Sequence, residues 1–334
     1  MTRRARRQGR IAVAPGIALV LAIGCRGPQS ALDPAARDAE RLADLFWLLT
    51  WGSAVVWLAS VGLAVYAAYV PRAPVSAQAA HRLVVFGGAV IPTLVLGALL
   101  VHGLAMIPQL LAPAPRGALE IEVVGEQWWW RVRHRDGQGR IVESANELRL
   151  PAGVPVQVWL ETRDVIHSFW IPALGGKVDM IPGRRTHLRL EPARPGTYRG
   201  VCAEYCGTSH AWMAFAVIVE PQRDHEQWLA RELGDALEPT TAPARRGATL
   251  FLENGCGACH AIRGTAADGT LGPDLTHVGS RHTLGAGRSD LDRDALRSWI
   301  ADPERLKPGV HMPSFGMLPD EHLEALAAYL EGLR

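Results

Sequence analysis

Apolar residues run almost unbroken through two stretches of the chain, residues 45–70 and 83–107, and each reaches the ~20 residues that an α-helix needs to cross the hydrocarbon core of a bilayer. Together they predict a transmembrane hairpin. The polar loop between them carries Arg72, His81 and Arg82, and the excess of positive charge assigns it to the cytoplasmic side. Both long flanks then face outward. Past residue 113 the pattern changes from continuous to alternating, with apolar positions two apart at 119–123, 154–160, 187–190 and 215–219, separated by turns rich in Gly and Pro. These predict strands of an all-β barrel or sandwich. Residues 222–234 read as a short helix, 238–246 as a Pro/Thr/Ala linker, and 320–333 as a final helix with Asp320 as its N-cap and Leu323, Leu326, Ala327 and Leu330 on one face.

The start of the chain has its own pattern. Arg3, Arg4, Arg6, Arg7 and Arg10 precede an apolar run, residues 11–24, that is too short to span a bilayer and reads as an export signal over residues 1–24. Leu21-Ala22-Ile23-Gly24-Cys25 resembles a lipoprotein signal, which makes Cys25 a candidate lipidated residue, although Ala22 stands where such signals favour Leu. Within the second span, His102 is either a functional group in the membrane or a side chain that meets its interface.

The composition adds exclusions. With 35 Lys and Arg against 33 Asp and Glu, and no basic stripe alternating with aromatics, the chain of 334 residues has no nucleic-acid footprint. Its five cysteines are Cys25, Cys202, Cys206, Cys256 and Cys259. Cys202-Ala-Glu-Tyr-Cys206-Gly-Thr-Ser-His210-Ala-Trp-Met213 gathers two thiols, an imidazole and a thioether, the soft and borderline donors that copper prefers. A Cys202–Cys206 disulfide is the competing reading, but it calls for neither the His nor the Met. A mononuclear blue copper site needs one thiolate, so two thiolates suggest two metals sharing them. One imidazole is still missing, and His167 in the apolar, strand-ending segment 164–170 is the candidate; His134, His187 and His225 have no comparable setting. Downstream, Cys256-Gly-Ala-Cys259-His260 is the C-x-x-C-H signature of covalent haem attachment, whereas a redox or zinc C-x-x-C needs no following His.

With these motifs the chain resembles subunit II of a haem–copper cytochrome c oxidase, in the form that carries a fused cytochrome c domain. The family pattern C-x-E-x-C-x-x-x-H-x-x-M is met by Cys202, Glu204, Cys206, His210 and Met213, and D-V-x-H-S by Asp164, Val165, His167 and Ser168. The resemblance implies a dinuclear CuA centre with His167 and His210 as imidazole ligands, Cys202 and Cys206 as bridges, Met213 as the weak ligand, and the Glu204 backbone carbonyl completing the set. It points the Glu204 side chain toward a magnesium shared with subunit I. Trp128 in Gly125-Glu-Gln-Trp-Trp-Trp130 matches the tryptophan through which electrons reach the copper, while Trp129 stands where Tyr is usual. The segment 177–184 resembles the family's K-x-D-x-x-P-G-R, which lies against subunit I. Val85 falls where many relatives carry a carboxylate associated with proton uptake. In the haem domain the resemblance implies thioether bonds from Cys256 and Cys259, axial His260 and Met312 with Met317 as runner-up, and a Pro273 carbonyl that accepts the His260 N–H.

The implied architecture is multidomain: a signal over 1–24, an N-terminal segment and two-helix transmembrane hairpin over 25–112, an all-β cupredoxin-like Greek-key barrel over 113–235, a linker over 236–244 and an all-α class I cytochrome c domain over 245–334. The implied function is electron transfer in a proton-translocating terminal oxidase, from cytochrome c or a similar donor through haem c and CuA to subunit I. Its partners would be subunit I, subunit III, the electron donor and membrane lipid. Its place would be the bacterial inner membrane, with both redox domains on the periplasmic face. A CuA-bearing subunit of a nitric oxide reductase is the alternative. The hairpin argues against the soluble nitrous oxide enzyme, and a copper-delivery protein has no use for an attached haem.

Overall fold

The computed structural model describes residues 26–70 and 75–334, so the expected export signal over 1–24, the candidate lipidated Cys25 and Arg72 lie outside the described residues. The chain forms two compact units, one of Arg41–Pro113 and one that joins residues before 41 to Ala114–Arg334.

The smaller unit is built from α1 (Arg37–Tyr69), whose first turn belongs to the larger unit, and α2 (Ala77–Leu110), two helices long and apolar enough to cross a membrane. Their large apolar side chains, among them Trp51, Trp57, Leu94 and Leu100, are exposed rather than packed into a protein core. This is the surface that a lipid solvent accommodates. Both helices start earlier than their apolar runs because each begins with polar turns. The Ser76 hydroxyl accepts from the Ala79 N–H at 3.3 Å and caps α2. A π turn at Phe86–Val90 interrupts α2 just after Val85, and His102 is exposed on the same helix.

In the larger unit ten strands form two five-stranded sheets. One has the order β3-β2-β1-β5-β8 and the other β4-β10-β9-β6-β7. They comprise β1 (Leu119–Glu126), β2 (Trp129–Arg135), β3 (Ile141–Ala145), β4 (Glu147–Pro151), β5 (Val156–Thr162), β6 (His167–Trp170), β7 (Val178–Met180), β8 (Thr186–Leu190), β9 (Gly196–Cys202) and β10 (Ala214–Glu220). Inward residues of both sheets, such as Ile121, Val123, Val158, Leu148 and Val217, share one core, so the cupredoxin-like region is a β-sandwich. At its centre Trp130 packs edge-on against Phe169 at 5.7 Å, and Phe169 stacks on Phe215 at 4.9 Å. The four strands expected from alternation are present, and six more join them.

Helix α3 (Gln222–Glu232) packs against β4 and, through Trp228, on His134 of β2. Here the reading of His134 and His225 as lacking an apolar setting is corrected. His134 is fully buried on β2, His225 is nearly so on α3, and both rings pack on Trp228. The charged neighbours Arg133 and Arg135 hid the inward phase of β2.

The C-terminal region contains α4 (Ala242–Glu253), α5 (Arg293–Ala301), α6 (Pro303–Leu306) and α7 (Asp320–Gly332), with a two-stranded ribbon of β11 (Thr283–Leu284) and β12 (Ser289–Asp290). Part of the expected linker is helical: Thr241 Oγ1 accepts from the Ala244 N–H at 3.3 Å, and Pro243 sits in the first turn, where its missing N–H has no cost. Leu323, Leu326, Ala327 and Leu330 are buried as one face of α7. Asp320 is not the N-cap of that helix, as expected, but its first residue. Pro319 holds the cap position and the Asp320 carboxylate pairs with Arg297 at 2.7 Å.

Candidate metal centre

Three strand ends converge at one end of the sandwich. His167 opens β6, Cys202 closes β9 and Met213 immediately precedes β10, with Phe169 paired to Cys202 and Val201 paired to Ala214. The loop between is fixed by its own backbone. Cys202 N donates to Met213 O at 2.9 Å, Ala203 N to Ser168 O at 2.9 Å, and His210 opens a short 3-10 turn. Rigid strands thus aim side chains from a loop, which places a site precisely without strand residues having to bend.

The geometry gathers every copper-loop residue singled out above. The Cys202 and Cys206 sulfurs lie 3.8 Å apart, far beyond the ~2.05 Å of a bonded pair, so the thiols are free. His167 Nδ1 is 3.8 Å from the Cys202 sulfur, and His210 Nδ1 is 3.5 Å from that of Cys206. Met213 Sδ lies 3.8 Å from Cys206 Sγ, and the Glu204 carbonyl 3.2 Å from Cys202 Sγ. One donor atom each from His167, Cys202 and Cys206 lies within 4.8 Å of the others, and all three residues are buried. The Glu204 side chain is exposed and accepts from the Tyr205 N–H at 3.1 Å.

The two thiols are close enough to shift each other's ionisation in opposite directions. A hydrogen bond from Cys206 is the largest influence holding Cys202 down as a thiolate, aided by His167, and the same pairing together with burial pushes Cys206 up. Burial opposes a charge on His167, but hydrogen bonds to Asp164 and Cys202 outweigh it and raise its pKa. Buried thiols, two imidazoles, a thioether and a carbonyl converging without an oxygen-rich shell fit copper better than a hard cation. A metal would need both sulfurs as thiolates, so binding would release protons.

Around these residues lies a supporting shell whose roles sequence reading missed. Asp164 holds His167 Nε2 at 2.8 Å and also accepts from the Gln127 N–H at 2.6 Å. Gln127 Nε2 and Trp128 Nε1 both donate to the Cys206 carbonyl, at 2.8 and 2.9 Å. Gly125 leaves room for the His167 ring, since a Cβ there would sit 2.8 Å from its Cδ2. All of these lie in the two quoted segments, so the signal was proximity to the motif. Of the three tryptophans, Trp128 is buried beside the loop, Trp130 is core, and Trp129 stacks under the Arg131 guanidinium at 4.6 Å. Asp179 accepts from Ser168 Oγ at 2.8 Å and pairs with Lys177, tying segment 177–184 to β6.

In the C-terminal region, Cys256, Cys259 and His260 follow α4 in a tight turn in which His260 N donates to Cys256 O. His260 Nδ1 lies 2.8 Å from the Pro273 carbonyl, which fixes the ring with Nε2 free for a metal. Gly272 makes this approach feasible, because a Cβ there would lie 2.5 Å from the ring. Met312 is half-buried against the domain core, whereas Met317 is 77% exposed. A covalent haem fits two free thiols, an oriented imidazole and a half-buried thioether.

Both sites lie in regions that match known families. Residues 131–220 match the family described as cytochrome c oxidase subunit II, periplasmic domain, and residues 244–334 match cytochrome c. The chain is similar to the cytochrome c oxidase subunit 2 of Alkalihalophilus pseudofirmus, at 39% identity over 64% of this chain and 61% of that protein. It is also similar to that of Bacillus subtilis, at 32% identity over 65% and 63%. The chain thus spans a little over three fifths of the length of these curated relatives. The crystal structure of the periplasmic domain of subunit II of cytochrome oxidase from Bradyrhizobium japonicum aligns at 30% identity and a TM-score of 0.33, covering 36% of this chain and 96% of that one. The chain thus carries a domain of the cytochrome c oxidase subunit II periplasmic family over residues 131–220, and a cytochrome c domain after it.

Proposed function

We propose that this chain is the electron-transfer subunit of a membrane terminal oxidase, taking electrons from cytochrome c or a similar donor at haem c and delivering them through CuA to a haem–copper subunit I that reduces oxygen to water. The observation that carries this reading is the pair of free, buried thiols 3.8 Å apart, ringed by His167, His210, Met213 and the Glu204 carbonyl. A copper pair held there would supply an electron store that needs little rearrangement as an electron arrives or leaves.

In this reading Cys202 and Cys206 would hold the copper through their thiolates, His167 and His210 through imidazole, Met213 through its thioether and Glu204 through its carbonyl. Asp164 orients His167. Cys256 and Cys259 would hold haem covalently, His260 and Met312 would ligate its iron, and Pro273 orients His260. Trp128 is where electrons come in to the copper loop, because its indole both touches the haem domain and bonds the Cys206 carbonyl. The two apolar helices anchor the chain in a bacterial inner membrane with both redox domains on the periplasmic side. The exposed Glu204 carboxylate is free to face a magnesium at the subunit I boundary, and subunit III completes the complex.

The test uses the full chain purified with its membrane partner. Two coppers per chain, a mixed-valence electron paramagnetic resonance signal, haem that stays attached after denaturation and oxygen consumption are expected. One copper, or a Cys202–Cys206 disulfide, overturns the CuA assignment; turnover of nitric oxide instead of oxygen identifies a nitric oxide reductase.

A further inference from the structure

Segment 307–311 of the cytochrome c domain, which leads directly into Met312, packs on the copper loop and on Trp128. Ser209 of the copper loop, fully buried, donates from Oγ to the Pro308 carbonyl at 2.6 Å. Gly309 lies against Trp128; its φ of 76° favours glycine, and a Cβ there would be 3.0 Å from Trp128 Cη2. The His311 ring is 6.0 Å from the Trp128 ring. From the other side, Ala214 N donates to Ala286 O at 3.2 Å and the Arg288 guanidinium covers Trp212 at 4.0 Å. Trp128 is therefore only 6% exposed.

At the centre of this junction is Lys307, 2% exposed. Lysine is almost never so deeply buried unless its charge is matched. Here the ammonium donates to the main-chain carbonyls of Trp128 and, at 3.2 Å, Gly285. Burial pulls its pKa down to about 7, opposed by the neighbouring Cys206 and reinforced by Arg288. An apolar side chain of similar length would be easier to bury, so stability alone does not account for a lysine. What the ammonium adds is a grip across the junction. It holds the carbonyl of Trp128, and the indole of that same residue holds the carbonyl of Cys206, so one chain of hydrogen bonds runs from the haem-domain segment to a proposed copper bridge.

We propose that Lys307 is a positioning residue for electron transfer between the two domains, seating segment 307–312 on Trp128 so that the attached haem domain, rather than a separate donor protein, occupies the Trp128 face. This inference rests on the electron-transfer reading above. Tunnelling falls off exponentially with distance, so a small loosening of the seat is felt in the rate, while neither cofactor's own ligands are touched.

The test compares Lys307→Met and Lys307→Arg in the full chain. Lys307→Met is expected to keep the copper resonance and the haem spectrum, keep the rate of haem reduction by an external donor, and slow transfer from photoreduced haem to copper by about tenfold or more. Lys307→Arg, which retains a donor, should recover part of that loss. Amide hydrogen exchange, measured on the chain without metals, should quicken in segments 127–130 and 307–312 of Lys307→Met. An unchanged transfer rate together with unchanged exchange overturns the proposal, as does a slowed rate accompanied by an altered copper resonance. Should Lys307→Met not fold, Lys307→Gln is read by the same measurements. Loss of the mixed-valence signal in the unsubstituted chain would instead fault the functional reading, and the exchange result would still stand or fall on its own.

Discussion

The indole N–H of Trp128 donates to the carbonyl oxygen of Cys206 at 2.9 Å. An aromatic side chain that touches the haem domain is thereby bonded to the backbone of a residue in the copper loop. Trp128→Phe keeps most of the ring and deletes this bond. We expect copper reduction by the attached haem to slow, with about a tenfold loss if the bond sets the geometry of transfer, while the copper resonance stays mixed-valence. Stopped-flow reduction followed at the copper absorption measures it.

Asp164 carries both the His167 ring and the Gln127 N–H on one carboxylate, at 2.8 and 2.6 Å. Asp164→Asn puts an amide NH2 where an acceptor is required on one side. Copper affinity should fall by roughly 10–100-fold, as is typical when a partner of a metal-bound His is lost. A competition titration with a copper chelator checks this, and unchanged affinity would mean that the strand alone orients His167.

Burial distinguishes the two candidate methionines. Met312 packs on the core of the cytochrome c domain and Met317 is exposed to solvent. Met312→Ala should abolish the thioether-to-iron absorption band and lower the haem potential, since a thioether ligand raises it. Met317→Ala should leave both as they are.

His134 is fully enclosed, with its pKa pushed down to about 3 by burial, then by His225 and Arg149. The unfolded chain takes up this proton near pH 6.5 and the folded chain does not, so stability falls as pH drops between 6.5 and about 3. The slope should approach about 1.4 kcal/mol per pH unit for this residue. Denaturant unfolding at a series of pH values tests it: His134→Leu should flatten the acid limb, and an unaltered slope would assign acid sensitivity to other groups.

Much of this protein is local in sequence, and the local part was legible. Membrane-spanning helices follow from the length of two apolar runs, and the copper and haem motifs each sit within a dozen or so contiguous residues, so spacing alone marks them. Strands with a clear two-residue alternation were readable as well. Polar ones were not: β2 (Trp129–Arg135) and β4 (Glu147–Pro151) carry Arg131, Arg133 and Arg149, whose charges are matched across strands by Glu143, Glu122 and Glu220. Such pairing exists only once the sheet has formed. The same holds for the helix starts before the apolar runs, which depend on polar first turns, and for Asp320, which lost the cap position to Pro319 by pairing with Arg297.

What the sequence by itself determined was the chemistry available: two thiols, imidazoles and thioethers at copper and haem spacing, on a chain with two apolar helices. What only the tertiary structure decided was how those groups are held. Asp164 stands in a sequence motif, but its part as an acceptor appears only when folding brings it to His167 and Gln127, and the Lys307 ammonium reaches the carbonyl of Trp128, 179 residues away, only once the chain has folded. Ligand spacing is encoded within one segment of backbone, whereas a buried charge gains its partners only from distant segments that packing brings together.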